Sequence, residues 1–204
     1  ISPVDVFEST MLMLEDKWMK NEKLIALLPL ETERLIIKPT SVDDIDMILK
    51  MDKQEVTQKF LGGVKNKTRE ERIKFLEKKA SKFADNIAGS LTVYLKESNT
   101  PIGFTGLSIN EDDNNAEISY IFDEDFTGKG YCTEASRKLL DVAFDVLDLN
   151  RIFADTIEGN VASSRVLEKL GFSHEGTRRK QVFVKEFDKY CDFLDYGILK
   201  DEYR

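Results

Sequence analysis

Apolar residues recur along the chain with two periods, which predict where helices and strands lie. A spacing of three to four residues is typical of one helix face, and a spacing of two is typical of a half-buried strand. The first pattern predicts helices at 5–28, 42–49, 68–83, 135–147 and 161–170. The second predicts strands at 34–38, 91–95, 102–109, 116–122, 152–157, 178–185 and 190–199. This order predicts one mixed α/β domain with helices on both faces of its sheet.

The first predicted helix stands apart from the rest of the chain. Its apolar side chains lie at steps of four, three and four residues: Phe7, Met11, Leu14 and Trp18. Pro29 ends the pattern, since proline has no N–H group to continue a helix. We therefore divide the chain into an N-terminal helical appendage at 1–28 and a main domain at 29–204. The apolar stripe needs a surface to cover it, either the main domain or the second subunit of a homodimer.

Composition and charge exclude several classes of function. The formal net charge is −8, from 38 acidic and 30 basic residues, which disfavours direct binding to a nucleic-acid backbone. No apolar run approaches the roughly 20 residues of a membrane span, and the first residues lack the regions of a signal peptide. Two cysteines and one histidine predict neither a disulfide framework nor a metal site. We expect a cytoplasmic protein without a metal that contacts neither nucleic acid nor membrane.

The strand predicted at 116–122 leads through a glycine-bearing turn into a long amphipathic helix. The turn reads Thr127-Gly128-Lys129-Gly130-Tyr131-Cys132-Thr133. The first N–H groups of a helix have no partner within it, and the helix dipole adds positive potential there. Because glycines let the oxygens of a ligand approach the backbone, this segment is a candidate phosphate cradle. A turn with a purely structural purpose is the alternative, since neither the P-loop nor the dinucleotide-binding spacing is present.

A second motif follows the next predicted strand and adds specificity to the first. In chain order, the motifs are Thr32-Glu33-Arg34-Leu35, Ala116-Glu117-Ile118, Gly128-Lys129-Gly130-Tyr131 with Thr133-Glu134-Ala135, and Asn160 with Ser163 through Leu170-Gly171-Phe172. Together they resemble the GNAT superfamily of N-acetyltransferases, specifically its RimJ/RimL-like branch of ribosomal-protein N-terminal acetyltransferases. The resemblance covers the main domain, and no single motif would carry it alone.

The resemblance implies a fold and a cofactor. The fold is a mostly antiparallel sheet of about six or seven strands, with one pair of strands, at 116–122 and 151–157, splayed apart. Acetyl-CoA would lie in that opening as the acyl donor, paired with backbone groups that a bulge in the first of these strands frees. No metal is implied. The implied cofactor-binding residues are Tyr120, Ile121, Phe122, Thr127, Gly128, Lys129, Gly130, Tyr131, Cys132, Thr133, Asn160 and Ser163.

Two positions of the glycine turn depart from the family pattern. The family has Gln or Arg where this chain has Thr127, and Gly or Ala where it has Cys132. Main-chain N–H groups hold most of a pyrophosphate, so the predicted site survives, although the short Thr127 side chain is expected to weaken cofactor affinity. Cys132 has an alternative role as an acyl-carrying nucleophile, because a helix N-terminus lowers a thiol pKa.

Catalytic residues follow from the resemblance less directly. Many GNAT enzymes place a tyrosine as general acid in the helix after the asparagine, but the aligned residue here is Leu167. Ser163 is the predicted replacement that contacts the departing sulfur, and capping of the helix is its alternative role. Glu117 is the predicted general base, since a carboxylate in an apolar strand facing a cleft has a raised pKa. A solvent-facing glutamate is the alternative, and Asp192 and Glu175 are weaker base candidates.

The sequence therefore predicts an acetyl-CoA-dependent N-acetyltransferase that transfers an acetyl group directly to a primary amine. The first candidate acceptor is the N-terminal α-amine of a ribosomal protein. Small-molecule amines, either polyamines or aminoglycosides, are a second class of acceptor. A non-catalytic acyl-CoA-binding module is a further alternative, which the residues Leu167 and Thr127 support.

Overall fold

The structure of the chain, a computed structural model, describes residues 20–80 and 91–203. Its helices are α1 at 20–26, α2 at Ile45–Asp52, α3 at Glu55–Gln58, α4 at Arg69–Ala80, α5 at Tyr131–Asp141 and α6 at Val161–Lys169. Its strands are β1 at Leu30–Glu31, β2 at Leu35–Pro39, β3 at Leu91–Leu95, β4 at Pro101–Asn110, β5 at Asn115–Phe122, β6 at Arg151–Ile157, β7 at Ser173–Val184 and β8 at Lys189–Leu199. Within the described residues, none of the helices has the length and apolar character that a membrane span requires.

The eight strands form one sheet in the order β1-β2-β3-β4-β5-β6-β8-β7. Neighbouring strands are antiparallel except β5 and β6, which are parallel. The predicted mixed α/β fold with a mostly antiparallel sheet is therefore confirmed. The sheet has one strand more than the six or seven expected, because β1 is only two residues long and too short to show a period in the sequence.

The two strands at the end of the sheet differ in how well the sequence predicts them. β7 begins at Ser173 rather than at 178, and it lies at the edge, where most of its side chains are exposed. A strand without a buried face shows no alternation of apolar and polar residues. β8 pairs with a neighbour on each side, and most of its side chains are buried or partly buried. It starts within one residue of its predicted beginning.

One face of the sheet carries the main core, which α5 and α6 cover. Its central side chains are fully or almost fully buried: Ile118, Leu139, Leu140, Ile152 and Leu167. On the opposite face, α2 and α4 cover the region of β4 with a smaller cluster of Ile45, Ile48, Leu76 and Phe104. Beside β5, β6 and β8, the same face lines a cavity.

The helix predicted at 5–28 is present over the part that the structure describes. Residues 20–26 are helical, and the helix ends before Pro29. Leu24 is fully buried in the main core, so this part of the appendage packs on the main domain. The stripe from Phe7 to Trp18 lies outside the described residues, as does the end of the predicted helix at 81–83.

Candidate active site

β5 and β6 pair only where they begin. Three residue pairs join them, Asn115 with Arg151, Ala116 with Ile152 and Glu117 with Phe153, and within these two fully described strands no further pair follows. Beyond this point β5 stays paired with β4 as far as Phe122, and β6 stays paired with β8 as far as Ile157. The splayed strands are therefore present where they were predicted.

Alternate residues of β5 present their peptide groups to this opening. The Asp123 N–H donates to the carbonyl oxygen of Ile102 in β4 at 3.0 Å. By the alternation of a strand, the peptide groups of Ile121 also face β4, whereas those of Tyr120 and Phe122 face away from it, toward the opening. The Phe122 carbonyl oxygen accepts a hydrogen bond from Thr57 Oγ1 at 3.4 Å. The register between β4 and β5 is continuous, so the bulge expected in this described strand is absent and that prediction is wrong. The divergence of β6 alone frees the groups, and Ile121 contributes none of them.

The glycine turn adopts the backbone that the cradle prediction requires. Gly128 and Gly130 have φ angles of +73° and +83°, in the left-handed region that favours glycine. Gly130 is the N-cap of α5, and because it has no side chain, the first N–H groups of the helix stay open to a ligand. The Thr127 hydroxyl already donates to the carbonyl oxygen of Glu124 at 2.9 Å. The cradle is thus built from main chain.

Two motifs that are distant in the sequence meet beside the cradle. Glu134, in the first turn of α5, accepts hydrogen bonds from Thr32 Oγ1 at 2.6 Å, from the Arg34 backbone N–H at 3.0 Å and from Arg34 Nε at 2.7 Å. Arg34 also donates to the carbonyl oxygen of Lys129 at 3.2 Å and lies over the ring of Tyr131. Burial opposes these bonds, but they hold the pKa of Glu134 below its ordinary value. We call Thr32, Arg34 and Glu134 the Arg34 brace.

A second group of polar side chains fixes the loop that enters the cradle. Asp123 is 2% exposed and accepts hydrogen bonds from Lys50 Nζ and from Gln54 Nε2, both at 2.7 Å. It also accepts from the Asp125 N–H at 3.0 Å. Burial alone would raise the pKa of Asp123, but the bonds from Lys50 and Gln54 lower it. This Asp123 brace, made of Lys50, Gln54 and Asp123, ties the loop to the region of α2 and α3, and sequence reasoning missed it.

Asn160 and Ser163 lie together at the start of α6, as predicted. Asn160 is the N-cap, and its Oδ1 accepts from the Ser163 N–H at 3.3 Å. The Ser163 hydroxyl lies 3.1 Å from the hydroxyl of Tyr120, a contact that sequence reasoning missed because it considered only the peptide groups of Tyr120. Burial raises the pKa of the Tyr120 phenol, so the phenol is protonated at neutral pH. Leu167 is fully buried and has no proton to donate.

Cys132 lacks the environment of a reactive thiol. Burial raises its pKa to about 12, which is the opposite of the lowering that a helix N-terminus was expected to produce. Only a minute fraction of the thiol is ionised at neutral pH, and thiolate is the nucleophilic form. The structure therefore argues against the alternative role of Cys132 as an acyl carrier.

A cavity of about 500 Å³ lies on the face of the sheet opposite α5 and α6. Its charged lining consists of four carboxylates and two guanidinium groups: Glu117, Asp155, Glu175, Asp195, Arg151 and Arg178. Burial raises the pKa of Glu117, and the neighbouring Asp155 raises it further, while Arg178 acts in the opposite direction. Glu117 is thus half-buried beside a cavity and has the raised pKa expected of a general base.

The other three carboxylates of this cavity are bound to its arginines. The pairs are Arg178 Nη2 with Asp155 Oδ2 at 2.6 Å and with Asp195 Oδ1 at 2.8 Å, and Arg151 Nη1 with Glu175 Oε1 at 2.6 Å. Among the residues that the structure describes, Glu117 has no hydrogen-bonded or ionic partner of this kind. It is therefore the carboxylate of the cavity best able to exchange a proton.

In the part of the chain that the structure describes, the two weaker base candidates, Glu175 and Asp192, each accept a hydrogen bond that Glu117 lacks. Arg151 holds the pKa of Glu175 below its ordinary value. Asp192 accepts a hydrogen bond from the Lys180 N–H at 2.7 Å and is not among the residues that line the cavity. Within the described ranges, no group of three or more His, Cys, Asp or Glu side chains is arranged to hold a metal ion.

A sheet that splays beside a main-chain cradle is the arrangement that the sequence motifs imply for an enzyme using an acyl-CoA donor. The chain matches the family model described as an acetyltransferase (GNAT) domain over residues 34–173, which is more than half of its length. The protein therefore belongs to the GNAT family of acetyl-CoA-dependent N-acetyltransferases.

Relatives agree with this assignment but carry different acceptor names. The "Uncharacterized N-acetyltransferase p20" of Bacillus licheniformis is 27% identical over 175 residues, which are 85% of this chain and 97% of p20. The "Putative ribosomal N-acetyltransferase YdaF" of Bacillus subtilis is 40% identical over 88 residues, 43% of this chain and 47% of YdaF. The "Spermidine N(1)-acetyltransferase" of Escherichia coli K12 is 31% identical over 97 residues, 48% of this chain and 51% of that protein.

Solved structures show the same fold. The crystal structure of a GNAT-family acetyltransferase from Bacillus anthracis has a TM-score of 0.72 at 27% identity, covering 84% of this chain and 98% of that one. The similarity to YdaF agrees with the RimJ/RimL-like resemblance. The family thus gives the reaction and the acyl donor, while the acceptor amine differs among relatives.

Proposed function

We propose that acetyl-CoA lies between β5 and β6, with its pantetheine arm paired to the peptide groups of Tyr120 and Phe122. Its pyrophosphate rests on the main-chain N–H groups of residues 128–133, and Asn160 and Ser163 lie at the thioester end. One observation carries this proposal: the peptide groups of β5 that β6 leaves unpaired and the N–H groups at the start of α5 are separated by a single braced loop. A ligand with an extended amide arm and a pyrophosphate matches that combination.

The two faces of the sheet supply different steps of the reaction. The acceptor enters from the cavity, where Glu117 removes a proton from its nitrogen, and the neutral amine attacks the thioester carbonyl. An N–C bond forms, and the resulting oxyanion accepts a hydrogen bond from an N–H group of β5 that faces the opening. The attacking nitrogen then loses its second proton to solvent, the C–S bond breaks, the sulfur keeps the electron pair, and the Ser163 hydroxyl donates a hydrogen bond to the departing thiolate.

The N-terminal α-amine of a protein is the first candidate acceptor. Deprotonating a lysine side chain at pH 7 costs about 4–5 kcal/mol, whereas an α-amine with a pKa near 7.7–8.0 costs only about 1 kcal/mol. A half-buried carboxylate with a modestly raised pKa is a sufficient base for the α-amine. The similarity to YdaF, whose name denotes a ribosomal N-acetyltransferase, also supports this acceptor.

A polyamine is the second candidate, and the charge of the cavity favours it. Four carboxylates against two guanidinium groups leave an excess of negative charge for an acceptor with more than one ammonium group. The 31% identity to a spermidine acetyltransferase over about half of each chain supports the same class.

An amine panel separates these candidates. Purified protein is mixed with acetyl-CoA and either a peptide with an N-terminal Ser or Ala, spermidine or an aminoglycoside, and CoA release is followed with a thiol reagent. We expect the highest kcat/KM for one of the peptides. A preference for spermidine would favour the polyamine function instead. Tight CoA binding without thiol release for any amine would contradict both and indicate a binding module.

A further inference from the structure

Tyr120 and Ser163 form a contact across the opening. Tyr120 belongs to β5, on one side of the divergence, and Ser163 lies in the first turn of α6, which follows β6 on the other side. The Tyr120 hydroxyl lies 3.1 Å from Ser163 Oγ and 3.3 Å from the Ser163 carbonyl oxygen. The phenol is therefore directed at one residue, the residue that we propose contacts the sulfur.

Either hydroxyl can be the donor in the contact between Tyr120 and Ser163 Oγ. The backbone N–H of Ser163 is bound by Asn160, which fixes the start of α6 without using the hydroxyl. Burial raises the pKa of the phenol, so the phenol keeps its one proton and can donate it to Ser163 Oγ or to the Ser163 carbonyl oxygen. A serine hydroxyl that accepts from the phenol still has its own proton to donate.

We infer that Tyr120 is a positioning residue for departure of the CoA thiolate, because its hydroxyl donates to Ser163 Oγ and directs the Ser163 proton toward the sulfur. This inference rests on the proposed role of Ser163. The step is balanced without ionising the phenol: the C–S bond breaks, sulfur keeps the electron pair, and Ser163 stabilises it by a hydrogen bond. The nitrogen loses two protons in all, one to Glu117 and one to solvent, and the released thiolate takes up one proton from solvent. The Tyr120–Ser163 pair would thus supply the sulfur with the hydrogen-bond donor that the aligned residue, Leu167, cannot provide.

The inference predicts coupling between the two hydroxyl groups. Tyr120→Phe keeps the ring and removes only the oxygen, so CoA affinity should change less than about twofold while kcat falls about tenfold, or 1.4 kcal/mol. Ser163→Ala should lower kcat at least as much. In the double variant, the loss should equal that of Ser163→Ala alone, since Tyr120 acts only through Ser163.

The experiment measures kcat and KM for the three variants, with CoA affinity by calorimetry and thermal stability alongside. Tyr203→Phe is the matched control, because the Tyr203 hydroxyl also donates to a side chain, Asp141 at 2.6 Å, and lies outside the proposed site. It is expected to lower stability and leave kcat unchanged.

The outcomes are distinct. A wild-type kcat in Tyr120→Phe, or losses that add in the double variant, would overturn the positioning role of Tyr120 and leave the proposed function standing. A wild-type kcat in Ser163→Ala would instead remove Ser163 from the proposed mechanism, and the inference on Tyr120 with it.

Discussion

The phosphate cradle and the Glu117 cavity are held in place in different ways. The cradle is a contiguous stretch of main chain, and the Arg34 brace and the Asp123 brace hold it through carboxylates, Glu134 and Asp123, whose side chains are only 19% and 2% exposed. The cavity is made of side chains from four strands, and in its Arg178–Asp155 pair the side chains are 43% and 39% exposed. Exposed ion pairs contribute only about 0–1 kcal/mol each. The proposed donor half is thus held by more deeply buried carboxylates than the proposed acceptor half, so we expect it to be the more rigid of the two.

Removing the proposed base from the cavity should have the largest effect. Glu117→Gln keeps the size of the side chain but removes the proton acceptor, so kcat should fall about 100-fold. Because the pKa of Glu117 is raised above 4.5, the wild-type rate should rise with pH above that value as the carboxylate loses its proton. The variant should lack this rise in a steady-state pH profile.

Glu175→Gln is the matched comparison for this test. Glu175 lines the same cavity but is bound to Arg151, so its loss should change kcat by less than about threefold. Equal losses in the two variants would contradict the assignment of the base to Glu117.

The proposed donor half is tested by a side chain in the cradle. Gly130→Val should weaken acetyl-CoA binding at least about tenfold, or 1.4 kcal/mol, because it strains a left-handed residue at the start of α5 and places a Cβ 3.4 Å from Arg34 Nη2, against the brace that holds the cradle. Calorimetric titration with CoA measures the loss. Gly62→Val is the control, since Gly62 has φ of +86° and open space around its Cβ position, but lies away from the cradle. Native affinity in Gly130→Val would contradict the cradle assignment.

The Arg34 brace should contribute pH-dependent stability. Its hydrogen bonds hold the pKa of Glu134 below 4.5, so the carboxylate stabilises the fold above that pH, and the contribution is lost as pH falls through the lower folded-state pKa. Glu134→Gln should lower the free energy of unfolding at pH 7 by about 1 kcal/mol, and by less in acid. Urea unfolding at several pH values measures this. The exposed Glu168 on α6 gives the control Glu168→Gln, and an equal effect there would remove the brace from the explanation.

The smallest effect is expected at the exposed ion pairs of the cavity. Asp155→Asn should raise KM for a polyamine about twofold to threefold, with the effect fading as salt is added. Asp46→Asn, which removes the exposed partner of Arg69 far from the cavity, serves as the control. A change above about tenfold would show that the cavity is rigid as well, and would end the contrast between the two halves.

The sequence predicts the donor half better than the acceptor half because the donor half is local. The cradle lies within one turn, and its glycines and the helix start are adjacent in the chain. The cavity depends on strand register, which places Asp155 opposite Asp195, and no sequence period reveals that pairing. The bulge expected in β5, a strand that the structure describes in full, is absent for a related reason. The peptide groups of β5 are freed by the divergence of β6, a strand distant in the chain, and not by an irregularity within β5 itself.

The braces show what local patterns leave out. Thr32 and Glu134 are 102 positions apart, and Gln54 and Asp123 are 69 positions apart. Both members of the first pair lie in recognisable motifs, yet only the folded sheet brings them together. Gln54 and Asp123 belong to no motif, so their contact depends on how α2 and α3 pack against the sheet.

Within the sheet, three residue pairs join the half from β1 to β5 to the half from β6 to β8. In the proposed binding mode the donor touches both sides of this short joint, with its arm on β5 and its thioester end at the start of α6, so its binding should help to hold the halves together. Amide hydrogen exchange along the part of β6 that is not paired with β5 should then slow when CoA is bound. At one hundred times its Kd, such a ligand adds about 2.7 kcal/mol to the stability of the fold. The lifetime of this enzyme against heat and proteolysis would therefore follow the acyl-CoA concentration around it.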